Sequence, residues 1–199
     1  MLRLPPTTEV KRPLPKAQLF KQFDWTASQR DRFDAEVSRL DFVNWISPRT
    51  VTAIAAGNEV NEIFVVEVSL KSRDFDIKAI TLLAKHIPQR IVYVLCYENN
   101  AILAAYHAKL FTTPWRVLDD ITLTLLGLTL DAVWENIVSS IGDFIIEEDK
   151  SLIEQIKIEE ERNKLMRQIE SLERQMRSTA QPRRQREIYS LIKQLKPKL

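Results

Sequence analysis

The sequence predicts an α/β fold, a mixed sheet with flanking helices, followed by a C-terminal helical extension. Two runs rich in β-branched residues, Glu62–Lys71 and Arg90–Tyr97, bracket a helical period between Asp76 and His86. Valine disappears after Glu147, where Glu, Lys, Arg, Gln, Ile and Leu take over. A length of 199 residues and a mass of 23.2 kDa suit one domain with an appendage. The expected organisation is an α/β core over 1–146 and a helical hairpin or coiled coil over 147–199.

Residues 1–23 carry Pro5, Pro6, Pro13 and Pro15, each of which removes a backbone donor and fixes φ, so an extended arm is expected. Leu2, Leu4, Leu14, Leu19 and Phe20 are its apolar anchors across the core. Its charge is mainly basic (Arg3, Lys11, Arg12, Lys16 and Lys21 against Glu9), which leaves a partner-binding or phosphate-touching role open. A first helix is expected from Ser28, where Ser28 and Asp31 offer an N-cap and an acidic third position. Phe33, Val37 and Leu40 recur at i, i+4 and i+7 as its apolar face. Pro48 stops the short apolar stretch Phe42–Ile46.

The centre reads as strands around one crossover helix. Thr50–Ala56 is an expected strand, Gly57-Asn58 its turn, and Glu62–Lys71 the second strand. Asp76 caps a helix to about His86, with Ile80, Leu83, Ala84 and Ile87 inward and Pro88 closing it. Arg90–Tyr97 is too continuously apolar for a sheet edge and belongs at the centre. Glu98-Asn99-Asn100 turns the chain into a fourth strand, Ala101–Ala108. After Thr113-Pro114, residues 119–128 are extended or mixed, and Leu130–Ile141 is a helix with Val133, Trp134, Ile137, Val138 and Ile141 inward.

In the extension, Ile158, Leu165 and Leu172 fall seven apart, as do Arg162, Ile169 and Met176: an a/d seam with one charged flaw. Ser178–Pro182 interrupts it, and Ile188, Leu191, Ile192 and Leu195 then follow at i, i+3, i+4 and i+7. Neither helix buries its stripe alone, so each needs the core, a second copy or another protein. Leu165, Ile169, Leu172, Met176, Ile188, Leu191 and Leu195 are therefore the candidate partner-binding residues.

Composition narrows the function classes. With 45% hydrophobic and 28% charged residues the chain is not disordered, and no window approaches the ~18 uninterrupted apolar residues of a membrane span. The opening MLRLPPTTEV has no signal-peptide core, and one cysteine excludes a disulfide framework or a cysteine-based zinc site, so a cytoplasmic protein is expected. Three glycines in the whole chain argue against phosphate-cradling loops and dinucleotide turns, and no cofactor or resident metal is expected. The net charge of +2 is the remainder of 29 basic and 27 acidic residues, so nucleic-acid binding has to rest on a local patch. Arg174, Arg177, Arg183, Arg184 and Arg186, interleaved with Gln175, Gln181 and Gln185, form one. Guanidiniums around a helix break suit phosphates; they also suit an acidic protein face, or pairing with Glu159, Glu160 and Glu161 of another helix.

The sharpest catalytic candidate is the unit carrying Glu62, Glu67 and Lys71. Nucleases of the restriction-endonuclease-like fold place an acid on one strand and Asp/Glu-x-Lys on the next, because two carboxylates on adjacent strands hold Mg²⁺ and the lysine polarises the attacking water. Here Ser69-Leu70-Lys71 puts serine in the acid position, and the expected preceding strand, Thr50–Ala56, holds no acid. Glu67 and Lys71 lie ~13 Å apart along an extended strand. A paired or solvated Glu67 and Lys71 at a strand end is the plainer reading. His86 suits a helix C-terminus, His107 alternates with apolar neighbours, and Cys96 reads as a small buried hydrophobe. Trp25, Trp45, Trp115 and Trp134 fall at element boundaries and read as core.

Leu4-Pro5-Pro6-Thr7-Thr8 with Pro15-Lys16, the strand–helix–Ile87-Pro88–strand unit, and the closing Ile169-x-x-Leu172-Glu173, Gln185-Arg186-Glu187-Ile188 and Ile192-x-x-Leu195-Lys196 are together similar to the prokaryotic domain-of-unknown-function family 4391. The resemblance covers nearly the full chain and implies a small accessory protein encoded beside restriction-type helicases and DNA methyltransferases in defence loci. It brings no active site, and Ser178–Pro182 departs from the more continuous charged helix it leads one to expect. The resulting expectation is a non-enzymatic accessory or adaptor subunit of a DNA restriction or anti-phage defence system. It would dock a helicase or methyltransferase through its C-terminal helices, while its basic segments add sequence-independent DNA contact. A Mg²⁺-dependent nuclease and a self-assembling structural protein are the alternatives.

Overall fold

The computed structural model describes residues 2–198, which divide into two units, one running to Ile145 and one from Ile146 onward. The first is built on a seven-stranded sheet. Its spatial order is β1 (Glu9–Pro13), β2 (Val37–Ile46), β3 (Ile63–Leu70), β4 (Arg90–Tyr97), β5 (Asn100–His107) and β6 (Lys109–Thr112), with β7 (Arg116–Val117) also pairing on β5. Only β3 and β4 run parallel, joined by the crossover helix α3 (Ile77–His86); every other pair is antiparallel. Mixed α/β topology follows from the sequence as expected. Asp76 caps α3 by accepting from the Lys78 N–H at 2.9 Å, and β4 is buried from Ile91 through Cys96, as a central strand must be.

Three expectations are corrected. Thr50–Ala56 is not a strand. Ser47, Pro48 and Thr50 form a turn in which the Thr50 hydroxyl donates to the Trp45 carbonyl at 2.8 Å and accepts from the Ser47 N–H at 2.9 Å. These local bonds compete with a ladder, and the chain stays irregular up to β3. Val37 and Leu40 are not helical either. Helix α2 (Ala27–Glu36) is capped by Thr26 in a reciprocal box with Gln29, and the chain passes at Val37 into β2. There Val37 stands opposite Leu70 and Leu40 opposite Val68. The arm over 1–23 is not extended throughout either: Glu9–Pro13 is the edge strand β1, and Lys16–Gln22, after Pro15, is helical.

Alternation along the strands divides the core in two. On one face α1 (Lys16–Gln22), α2 and α3 cover Val66, Val68, Tyr93 and Leu95 with Leu19, Phe33, Ile80 and Leu83. Trp25 lies within a ring cluster with Phe20, Phe23 and Phe33. On the other, α4 (Leu130–Gly142) packs on β5 and β6, burying Val133, Trp134, Ile137 and Ile141. The Asp131 carboxylate, in the first turn of α4, accepts N–H bonds from Asn58 at 2.6 Å, Glu59 at 3.2 Å and Val60 at 2.8 Å. It thereby pins the loop before β3. Gly57 has to lack a side chain here, because a Cβ would sit 2.2 Å from an Asp131 oxygen.

The second unit is a helical hairpin. Helix α5 (Leu152–Ser178) begins at a Ser151/Glu154 capping box, and α6 (Pro182–Leu195) starts after the break Thr179–Gln181. Its core is Ile169, Ile188 and Ile192, with Leu172, Met176 and Leu195 packed against them. The Gln185 amide donates to the Thr179 carbonyl at 2.7 Å, closing the turn.

Candidate functional site

Glu62, Glu67 and Lys71 do not converge. Glu62 precedes β3, where its carboxylate accepts the Trp45 indole N–H at 2.9 Å. It borders a shallow pocket of about 260 Å³ with Phe42, Phe64 and Ile91. Five residues of extended chain place it ~16 Å from Glu67 and on the opposite face. Lys71 lies one residue past β3. Its backbone N–H donates to the Glu36 carbonyl at 2.9 Å and its ammonium stands 3.6 Å from Asp34. Asp34 also pairs with Lys16, whose hydrogen bond is the main cause of its lowered pKa.

The geometry brings Glu67 to a partner that sequence reasoning missed. Asp41 stands directly opposite it in the β2–β3 ladder, so the strand before β3 does hold an acid. Arg39 grips Asp41 in bidentate fashion, Nη2 donating to Oδ1 at 2.7 Å and Nε lying 2.5 Å from Oδ2. Burial, followed by the Asp41 charge, raises the Glu67 pKa, while Arg39 opposes the rise. On the neighbouring strand Cys96 is pushed up to about 12, by burial first and then by Glu67. That thiol stays protonated at neutral pH and is an inert core group. Two residues beyond Glu67, on the same face, stands Ser69. The missed signal was Arg39-Leu40-Asp41, a polar–apolar–polar alternation running into Phe42–Ile46.

The histidines are structural. His107 Nδ1 accepts the Trp134 indole N–H at 3.2 Å, and burial, with Arg90 nearby, lowers its pKa. His86 Nδ1 is 2.8 Å from the Leu82 carbonyl in the last turn of α3. Among the described residues no group of three or more His, Cys, Asp or Glu is placed to hold a metal ion, and no helix is long and apolar enough to cross a membrane.

The partner-binding candidates separate. Ile169 and Ile188 are buried within the hairpin, and Leu172, Met176 and Leu195 pack on them. Leu165 is half-buried outside that cluster, and Leu191 is 48% exposed. The arginines, by contrast, are gathered: Arg174 and Arg177 end α5, Arg183, Arg184 and Arg186 begin α6, and all five are exposed around the turn. Within this cluster the described ion pair is Arg183 with Glu187 at 3.4 Å; Arg177 Nε donates to the Glu173 carbonyl at 3.4 Å.

No curated protein and no solved structure matches the chain. The family model described as Domain of unknown function (DUF4391) matches residues 2–199, essentially every position, and the chain belongs to that family.

Proposed function

We propose that the protein is a non-enzymatic accessory subunit of a DNA restriction or defence system, docking a helicase or methyltransferase through its C-terminal hairpin. The observation supporting this reading is the outer surface of the hairpin. Its core absorbs the regular apolar stripe, yet Met166, Tyr189 and Leu191 remain 38%, 61% and 48% exposed. Large exposed apolar side chains on a largely charged unit, Ile153 and Ile158 of α5 among them, suit a protein contact with an apolar centre and a polar rim. The tagged full-length chain, recovered from its host with and without added nuclease, is expected to bring a helicase or methyltransferase under both conditions. Tyr189→Asp with Leu191→Asp is expected to abolish that recovery at an unchanged thermal midpoint. Recovery of the bait alone, or retention of the partner by the double variant, would refute the docking reading. A solution mass that is a multiple of 23.2 kDa without a partner would point to self-assembly instead.

The Asp41–Glu67 pair favours one second reading, a Mg²⁺-dependent nuclease. Burial first and then the Asp41 charge raise the Glu67 pKa, and a divalent cation would relieve the like-charge contact. Against it, Ser69 occupies the position two residues on, and Lys71 is engaged by Asp34. Calorimetric titration with Mg²⁺ decides: heat abolished by Asp41→Asn or Glu67→Gln supports the nuclease, and the absence of binding removes it.

A further inference from the structure

We propose that the hairpin tip binds the phosphate backbone of a nucleic-acid duplex. Residues 174–186 contain five arginines and no acidic residue, in a chain whose overall charge is only +2. The turn at Thr179–Gln181 folds the two clusters together, so all five guanidiniums are exposed around one end of the hairpin.

Folding accounts for only part of this charge: Arg177, in the last turn of α5, suits the helix dipole and donates to the Glu173 carbonyl, but the α6 arginines have no such role. Helix α6 starts with Pro182 at its first position, its cap residue Gln181 makes no side-chain cap bond, and its first turn holds no acid. Arg183 and Arg184 therefore sit at the positive end of the helix dipole, where cations are unfavourable. Glu187 offsets one of them, Arg183. Arg174, Arg184 and Arg186 have no ion pair among the described residues. At the start of α6 the described contacts offset Arg183 alone, and an anion from outside the hairpin would relieve Arg184 and Arg186.

The composition of the tip selects the occupant. A protein interface has an apolar centre, whereas Met176 is turned into the hairpin core and the rest of the tip is Arg, Gln, Ser, Thr, Ala and Pro. A single strand needs aromatic stacking platforms, and residues 174–186 include no aromatic. What remains is a wet, polar, multiply cationic surface without an instrument for reading bases, which suits duplex phosphates contacted independently of sequence. This inference stands apart from the docking proposal, since failure to recover a protein partner leaves duplex binding unaffected.

The test is fluorescence anisotropy of the full chain with a labelled, mixed-sequence DNA duplex of about two helical turns. With three to five phosphate contacts, affinity is expected to fall roughly 40- to 500-fold between 50 and 200 mM salt. The triple variant R183Q/R184Q/R186Q is expected to flatten the salt slope by about one unit per arginine removed. Its thermal midpoint should be no lower than that of the parent chain. Salt-independent binding, or binding unchanged in the triple variant, overturns the proposal. An equal loss from the control K11Q/R12Q overturns it too, by assigning the affinity to charge at large. Tighter binding of polyglutamate than of the duplex would assign the tip to an acidic protein.

Discussion

The two units divide the physical work differently. In the sheet unit most of β3, β4 and β5 is buried, and nearly every polar group inside it has an identified partner, such as His107 with Trp134 and Asn44 with Thr8. In the hairpin, three isoleucines hold the helices together while charge covers the outside. A unit that maximises burial has little surface chemistry to spare. One that is only just closed can carry charges that do nothing for its stability, and in this chain the concentrated charge sits there.

The largest expected effect tests the sheet unit. Phe33 is fully buried among Trp25, Phe20 and Leu83, so Phe33→Ala should destabilise by ~3–5 kcal/mol in urea unfolding. A loss under ~1 kcal/mol would mean that α2 is not part of the cooperative core. Next, Ile188→Ala removes one of the three isoleucines of the α5–α6 cluster and should cost ~2–4 kcal/mol within the hairpin. Hydrogen exchange should speed up in α5 and α6 while β3–β5 amides keep their protection. Equal acceleration in both would show a single cooperative unit and erase the contrast.

Asp131→Ala removes three N–H bonds to the 58–60 loop and should cost ~1–3 kcal/mol. Burial works against ionisation, but the bonds from Asn58, Val60 and Glu59 prevail and lower the pKa of this carboxyl. Its contribution should therefore be full above the ordinary aspartate pKa and disappear as pH falls through the lower folded value. Glu67 has the opposite sign, because burial and Asp41 raise its pKa. Glu67→Gln should modestly stabilise the fold at neutral pH, and the gain should vanish at pH values where the native carboxyl is protonated in both states. A destabilised Glu67→Gln at neutral pH would reveal a bond to the carboxylate that Arg39 and Asp41 do not explain. Smallest of all, Arg184→Ala should raise hairpin stability by a few tenths of a kcal/mol, measured as the midpoint of α6 melting.

Legibility followed locality. The β4 strand was plain because Ile91–Cys96 is one continuous apolar run, and α3 because Asp76 and Pro88 mark both its ends. The α2–β2 junction was illegible because no Gly or Pro lies between Thr26 and Ser47, and Phe33, Val37 and Leu40 fit a helical face. Only pairing with β1 and β3, which are distant in sequence, makes 37–46 a strand. The Asp41–Glu67 contact was lost with it, since register sets it and residue type does not. The arginine patch could be read from composition, while its gathering around one turn needed the two helices to fold back. The apolar stripe of the extension was also visible, but a periodic pattern does not say whether the facing surface is the same chain.

The sheet margins bear on how this protein behaves when concentrated. At one side β1 is five residues long, broken by a bulge between Glu9 and Arg12, charged at Glu9, Lys11 and Arg12, and closed by Pro13, which has no N–H to offer. At the other, β6 has four residues and β7 two. A fibril grows by adding strands to a long, flat, unprotected edge, and neither margin offers one. Millimolar solutions of the folded protein should stay clear of cross-β aggregates, and deleting the arm through Pro13, which bares the ten-residue β2, should be the quickest way to seed them.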